Sequence, residues 1–386
     1  MKRKICAVIT ARPSYSRIRT ALEAISKHDG LELVLVVSAS AMLYKYGKVI
    51  DIIREDGYGS IETVFNLVEG ENLLTSVKTT ALGMIELASI FARIKPDVVL
   101  TVADRYETIA TAIAASYMNI PLAHIQGGEV TGNIDEKVRH AVTKFADIHF
   151  VATEKAKERV IRMGENPEKV FVTGCPSIDI VKRTLNEKGS AKFDLFSKYA
   201  GVGNLLANRD DYIIVLQHPV TAEIDAAKDH LFHTYNAVKD IPMQIYWLWP
   251  NVDAGSDIIS KSIRHIRESE SPPNIYFLKN LTPDDFILFL NGSKCIVGNS
   301  SVAIREASFM GVPAVNIGTR QAGRERGFNV VDVPYDSTRI KKAINDALGH
   351  RGKLTTDALY GDGSAGQAIT DIIAEVDLTF EKRLHY

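Results

Sequence analysis

Short, continuously apolar runs alternate with longer stretches of helical period along this chain, and the alternation occurs twice. The first series is KICAVIT (4–10), LELVLVVS (31–38), DVVLTVA (97–103), IPLAHIQ (120–126), IHFVAT (148–153) and KVFVTG (169–174), with helical patterns near 16–28, 71–94, 105–117, 135–146 and 154–163. Runs of Val, Ile and Leu without polar alternation suit strands covered on both faces. Helix-length spacers between such strands imply parallel βαβ units with right-handed crossovers. After a polar, irregular stretch at 183–211 the pattern restarts with DYIIVLQ (211–217), MQIYWLW (243–249), NIYFLK (274–279), SKCIVGN (293–299), PAVNIG (313–318) and FNVVDV (328–333). Its helical partners fall near 222–239, 255–266, 283–291, 301–310 and 337–348. The expected fold class is therefore α/β, with two doubly wound Rossmann-like domains. The first spans 1–174 and the second 175–363, with the break at Gly174-Cys175-Pro176-Ser177. A helical tail at 364–386 is too short for a domain and is expected to pack back on the first.

Composition removes several function classes. With 46 Lys+Arg against 47 Asp+Glu the net charge is −1, so the chain is not a globally basic nucleic-acid binder. No apolar run approaches the roughly eighteen residues needed to cross a bilayer. The apolar stretch behind Met-Lys-Arg-Lys stops at Arg12, too short for a signal peptide. Cys6, Cys175 and Cys295 form no C-x-x-C pair and lie beside apolar runs, as reduced core thiols of a cytoplasmic protein would. Neither a nucleic acid nor a membrane is expected as partner.

Two domains of this kind facing each other leave a cleft outside the C-terminal ends of their strands, where open α/β sheets bind ligands. Chemistry is therefore sought just after each strand. Arg12, Pro13, Ser14 and Ser16 open the first helix; an arginine and hydroxyls beside free N–H groups suit a phosphate, and this is no G-x-G-x-x-G dinucleotide fingerprint. Plain capping by Ser14 and a surface charge at Arg12 is the competing reading. Asp104 and Arg105 follow the third run, where a carboxylate serves either as a cap or as a catalyst. Gln126-Gly127-Gly128-Glu129 follows the next, and its glycines let backbone pass close to a ligand. Asp135 and Arg139 stand i, i+4 on the helix that comes after, a spacing a simple salt bridge also explains. Asp104, Glu129 and Asp135 converging from neighbouring strand ends would separate acid from base roles.

The second half carries His218 after a strand, Asn251 in a polar Gly-containing turn, and Gly298-Asn299-Ser300-Ser301 opening a helix that bears Arg305 and Glu306. Ser300 and Ser301 offer donors to a diphosphate or simply cap the helix, and Glu306 is placed to accept from a ribose diol. Arg320, Arg324 and Arg326 crowd one glycine-containing loop, either an anion site or a solvated loop. No metal-ligand spacing, Walker A motif or nucleophile elbow is present.

The segments ARPSYS, ADRYET, HIQGGEVTGNIDEKVRHAVTK, TGCPSIDI, HPVT, PNVDAGS, GNSSVAIREASFMGVPAVNIGTRQAGRERGFNV and YGDGSA together resemble the UDP-N-acetylglucosamine 2-epimerase family, in its hydrolysing branch of sialic and legionaminic acid biosynthesis. The resemblance runs nearly end to end. It implies a GT-B-like fold with the nucleotide held mainly by the second domain, no metal or redox cofactor, and a homodimer. It also implies that a nucleotide sugar loses its diphosphate and its C2 proton to give a glycal, to which water adds, releasing a free manno-configured sugar. On this resemblance Asp104 and Asp135 match catalytic carboxylates and His218 the histidine near the diphosphate. Ser300 and Ser301 match phosphate binders, Glu306 the ribose binder and Arg12 the first-loop arginine. One position departs: most relatives carry a Glu where this chain has Gln126, and a carboxamide cannot act as a proton-transfer base. Either Glu129 takes that role or Asp104 and Asp135 suffice while Gln126 orients substrate. A Gln here resembles members acting on 2,4-diacetamido-2,4,6-trideoxy sugars, with N-acetylglucosamine as the alternative substrate and UDP or GDP as the carrier. A non-hydrolysing epimerase, a glycosyltransferase of the same fold and a catalytically silent nucleotide-sugar sensor are the competing functions.

Overall fold

The structure is a computed structural model. It describes every residue except 1, 45–48, 71–72, 103–104, 131–133, 190–193, 221–222, 251–255, 280, 350–352 and 386, and the side chains of Leu73, Ile134, Asp135 and Ser256. The chain divides into two units, Met1–Glu129 with Ile134–Ile180 and Tyr360–Tyr386, and Val130–Asn133 with Val181–Leu359.

In the first unit the elements run β1 (Arg3–Ile9), α1 (Arg12–Ser16), α2 (Arg19–Lys27), β2 (Leu31–Val37), α3 (Val49–Glu55), β3 (Ser60–Thr63), α4 (Leu73–Ile94), β4 (Val98–Val102), α5 (Thr108–Tyr117), β5 (Leu122–Ile125), α6 (Ile134–Phe145), β6 (Ile148–Val151), α7 (Glu154–Arg162) and β7 (Val170–Val172). Helix α8 (Pro176–Lys188) carries the chain across to the second unit. The strands form one sheet in the order β3-β2-β1-β4-β5-β6-β7, every pair parallel. Its centre is apolar on both faces: Ile5, Ala7 and Ile9 face one core layer, Cys6 and Val8 the other. The continuous character of the first apolar run follows from that double burial.

The second unit repeats the plan with β8 (Val202–Gly203), β9 (Tyr212–Leu216), α9 (Ala227–Val238), β10 (Gln244–Leu248), α10 (Ser256–His265), β11 (Ile275–Leu278), α11 (Pro283–Gly292), β12 (Cys295–Gly298), α12 (Glu306–Met310), β13 (Ala314–Ile317), β14 (Val330–Val333) and α13 (Ser337–Gly349). Strand order is β14-β13-β12-β9-β10-β11-β8, parallel except for β8, which pairs antiparallel with β11. The buried Trp247, Ile213, Ile245 and Val297 centre its core.

The last helix, α14 (Ala365–Glu375), belongs to the first unit. Its N-terminal amides at Ala365 and Gly366 donate to Asp179 Oδ1 and Oδ2 at 2.9 and 2.7 Å, and Thr20 Oγ1 donates to the same carboxylate at 2.9 Å. Gly366 lies so close to α2 that a Cβ there would stand 2.6 Å from Thr20 carbonyl carbon.

The structure moves the unit boundary. The first unit continues past Gly174 to Ile180 and resumes at Tyr360 rather than 364. Pro176, read from sequence as a turn, is the first residue of α8, where a missing N–H costs nothing. Cys175 N donates to Tyr360 O at 2.8 Å, tying the two crossing segments together on that side. Likewise the expected irregular stretch at 183–211 begins inside α8, and the expected helix at 301–310 is a 3-10 turn, Ser301–Ala303, followed by α12.

Candidate active site

Both sheets place the reversal of strand order beside their first long central strand, between β1 and β4 in the first unit and between β9 and β12 in the second. Chains leaving neighbouring strands there turn in opposite directions and open a crevice outside the strands' C-terminal ends. The residues selected from sequence follow those strands and their neighbours β5, β10 and β13, with Asp135 and Arg139 on α6.

In the first unit β1 leads into α1, with Arg12 and Pro13 in its first turn. The residue before the helix is Ala11, which makes no side-chain cap, so Ser14, buried inside α1, is not the capping residue. β4 precedes Asp104 in sequence, and Asp104 lies outside the described residues. Arg105 Nε lies 3.3 Å from both carboxylate oxygens of Glu107, whose side chain is buried at the start of α5. Glu107 was not singled out from sequence; the neighbouring arginine in ADRYET was a signal, but the burial was not visible there.

β5 leads directly into Gln126, whose backbone is left-handed at φ 67°. Its N–H donates to Phe150 O at 2.8 Å, and Nε2 donates to Cys175 Sγ at 2.8 Å, with Ser177 Oγ 3.0 Å from the same sulfur. A non-glycine residue in this conformation is strained, and such strain collects at functional positions. Gly128 is also left-handed, φ 74°, and a Cβ there would sit 2.3 Å from Ala156 O. Glu129 is buried, and Arg139, reaching back from α6, donates from Nη1 to the Glu129 carbonyl at 2.9 Å. Glu129 and Arg139 are thus brought together. The side chain of Asp135 lies outside the described residues, so the i, i+4 pairing with Arg139 does too.

In the second unit β9 leads to His218 and β12 to Asn299, Ser300 and Ser301. Asn299 is fully buried. Its Oδ1 accepts from His218 N at 2.7 Å and its Nδ2 donates to His218 O at 2.9 Å. Ser300 caps the following turn, its hydroxyl accepting from Val302 N at 3.4 Å, and Ser301 Oγ accepts from Arg305 Nη2 at 3.1 Å. Glu306 begins α12, with Arg305 Nε 3.9 Å from its Oε2. Asn251 lies outside the described residues.

The arginine loop follows β13. Arg320 Nη1 and Gln321 Nε2 both donate to Asn299 O, at 3.2 and 3.0 Å. Arg324 is buried. Arg326 is a strut: its guanidinium pairs with Asp332 at 3.0 Å and donates to the carbonyls of Gln321 and Arg324, so the loop presents two arginines, not three, for an anion. The loop is braced at its start. Tyr335 packs on Gly318 and stacks on His230 with ring centroids 3.5 Å apart, while Thr319 Oγ1 donates to Glu223 Oε1 at 2.6 Å. Burial pushes the Tyr335 hydroxyl up to about 12 and holds His230 below its usual value, against the opposing pull of Glu223. Gln321 and Asn299 were also missed from sequence, since their bonds go to backbone far along the chain and leave no local pattern.

Among the described residues no cluster of three His, Cys, Asp or Glu side chains could hold a metal ion, and no helix is long and apolar enough to cross a membrane. The first unit therefore offers buried carboxylates beside arginines for acid–base work, and the second offers hydroxyls, arginines and a histidine around one strand-end turn for a phosphate group.

Comparison with known proteins places the chain in a family. Over 382 residues the chain is 33% identical to the UDP-N,N'-diacetylbacillosamine 2-epimerase (hydrolyzing) of Legionella pneumophila, covering 98% of this chain and 97% of that protein. It is 29% identical to the UDP-N-acetylglucosamine 2-epimerase of Neisseria meningitidis serogroup B, covering 97% of this chain and 95% of that one. Among solved structures, the UDP-GlcNAc 2-epimerase from Neisseria meningitidis bound to UDP-GlcNAc superimposes with a TM-score of 0.80 at 18% identity, over 97% of this chain and all of that one, and shows the same fold. Residues 23–374 match the model of the UDP-N-acetylglucosamine 2-epimerase family, and the chain belongs to that family.

Proposed function

We propose that this protein is a hydrolysing nucleotide-sugar 2-epimerase, converting a gluco-configured N-acetyl sugar carried on UDP or GDP to the free manno-configured sugar and the nucleoside diphosphate. The observation that carries this reading is the end-to-end likeness to the Legionella pneumophila enzyme, 33% identical over 98% of this chain. The favoured sugar is 2,4-diacetamido-2,4,6-trideoxyglucose, with N-acetylglucosamine as the alternative. The Legionella and Neisseria relatives are named for one of these each. The neutral carboxamide at Gln126, turned onto Cys175, also supports the first.

In this reading the diphosphate leaves C1 with the bonding electrons while a carboxylate accepts the C2 proton, giving a glycal with a C1–C2 double bond. Water then adds its oxygen to C1 as a proton returns to C2 from the opposite face, so the sugar leaves free and inverted at C2. Asp104, Asp135 and Glu129 supply the carboxylates, with Arg105 and Arg139 balancing their charge. Gln126 orients the sugar. His218, Ser300, Ser301, Arg12, Ser14, Asn251, Arg320 and Arg324 bind the nucleotide's polar groups, and Glu306 accepts from the ribose. Donors fixed before the reaction stabilise developing charge without reorganising, which is what the buried second-unit network offers.

The test is incubation with UDP- and GDP-linked N-acetyl sugars in heavy water, with products read by NMR. Free sugar carrying deuterium at C2 is expected. A nucleotide-linked epimer would assign the non-hydrolysing reaction, and tight binding without exchange would assign a sensor. Asp104→Asn and Asp135→Asn should each lower turnover roughly a hundredfold or more with UDP binding retained. Full turnover in both variants would remove those residues from the chemistry.

A further inference from the structure

Three of the second-unit segments assigned to the nucleotide, at His218, the Ser300-Ser301 turn and the arginine loop, converge on one residue that binds nothing in that reading. Asn299 follows β12, beside β9 in the parallel sheet, and its N–H donates to Leu216 O at 3.2 Å. Its carboxamide closes a two-bond ring on the backbone of His218, at 2.7 and 2.9 Å, a match only an amide side chain makes, because one atom must accept and the other donate. Its own carbonyl takes the donors of Arg320 and Gln321 at 3.2 and 3.0 Å. Gln321 is itself held, its carbonyl accepting from Arg326 Nη2 at 2.8 Å while Arg326 is locked to Asp332 on β14. Side chain, amide and carbonyl of one buried residue therefore fix three loops at the point where the strand order reverses.

The geometry points to Asn299 as the positioning residue of the nucleotide site: it sets the register of His218 against Ser300 and of both against Arg320, so that the donors to a nucleoside diphosphate are fixed before it arrives. This rests on the assignment of the second unit to the nucleotide. Removing the carboxamide leaves the His218 N–H and C=O without their partners and lets that loop drift, and small displacements of binding groups weaken binding steeply.

Isothermal titration with UDP on the full chain tests it. Asn299→Ala should raise the dissociation constant for UDP about tenfold to a hundredfold at a stoichiometry near that of the unaltered protein, and raise KM in parallel. A residue serving only stability would instead lower the stoichiometry, as misfolded molecules drop out, and leave the dissociation constant unchanged; that result overturns the proposal. Should Asn299→Ala fail to fold, Gln321→Leu decides, since it cuts the shorter of the two ties between the arginine loop and the Asn299 carbonyl and leaves the His218 pairing in place. A dissociation constant raised about threefold to tenfold supports the proposal, and an unchanged one overturns it. If the unaltered protein binds neither UDP nor GDP, the nucleotide assignment itself fails, independently of either variant.

Discussion

Glu165, in the turn between α7 and β7, is the clearest place where a single substitution should detach one segment of the first unit. Its side chain is 3% exposed and takes three donors: Lys144 Nζ at 2.6 Å, Lys382 Nζ at 2.6 Å and His149 Nε2 at 3.0 Å. The C-terminal segment is held by the same corner: Lys382 Nζ also donates to the carbonyls of Thr143 and Ala146, His385 N donates to Gly164 O at 3.1 Å, and Lys169 Nζ donates to Asp377 O at 2.7 Å. Burial alone would raise the Glu165 pKa, but the hydrogen bonds from His149, Lys144 and Lys382 outweigh it and hold the carboxyl down at about 2, against an ordinary 4.5. At ~1.4 kcal/mol per pH unit that gap is worth about 3 kcal/mol at neutral pH. Lys144 and Lys382 keep 38% and 25% of their side chains exposed, so solvent screening makes this a ceiling.

Lys382 is the one donor of the three that lies on the C-terminal segment, so Glu165→Gln should lower the opening free energy of the segment around 376–385 by a part of that, about 1–2 kcal/mol, which is roughly a 5-fold to 30-fold faster amide exchange at pH 7. Hydrogen exchange read by mass spectrometry is the appropriate assay, because Trp247 and Trp249 both lie in the second unit and their fluorescence reports the wrong half. The folded pKa lies below the unfolded one, so the stabilisation is fully present above about pH 4.5 and is lost as pH falls toward 2. At pH 3 the difference between the two proteins should have shrunk to about half its neutral value. Exchange in the variant within threefold of the unaltered protein at pH 7, or a difference that does not shrink in acid, would refute the reasoning.

Two further substitutions test the close packing of the first unit. Gly128→Ala places a Cβ 2.3 Å from Ala156 O and 2.9 Å from Val160 Cγ2 at φ 74°, and should cost about 2–4 kcal/mol in chemical denaturation; a melting temperature unmoved by the change would contradict that contact. Asp179→Ala removes the acceptor shared by Thr20, Ala365 and Gly366, and should destabilise the start of α14 by about 2–3 kcal/mol, seen as faster amide exchange in residues 365–369 with the second unit unchanged.

What the sequence revealed, and what it hid, follows from burial. Central strands such as Val98–Val102 are buried along their whole length, so their apolar runs stand out. β3, Ser60–Thr63, is an edge strand of half-buried and exposed residues and carries no such run, and β8 has two exposed residues. α3, Val49–Glu55, has only seven residues, too few for its helical period to stand out. In the site, charged and hydroxyl residues at strand ends could be selected by type. Asn299 could not, because its role is a match to the backbone of a residue 81 positions away, and the Gln126–Cys175 contact spans 49 positions. The crowded arginines left two readings open, an anion site or a solvated loop, and the structure commits Arg326 to Asp332.

The strand ends also set Gln126 apart from the other turns of the sheets. A chain leaving a central parallel strand must turn sharply, and positive φ serves that turn at Gly298, where a Cβ would meet Leu216 O at 2.1 Å, and at Gly318, where it would meet the Tyr335 ring. Glycine takes these conformations without side-chain strain. Directly after β5 the same kind of turn is made by a glutamine at φ 67°, with glycines next to it in the chain. A side chain kept at a strained position costs of order 1–3 kcal/mol, and it persists where the surroundings over-determine it. Here the Phe150 carbonyl fixes the backbone and Cys175 fixes the carboxamide. A glycine would turn the chain at lower cost but would present no carboxamide to Cys175, and the strain is what distinguishes this position from the glycine turns that only steer the backbone.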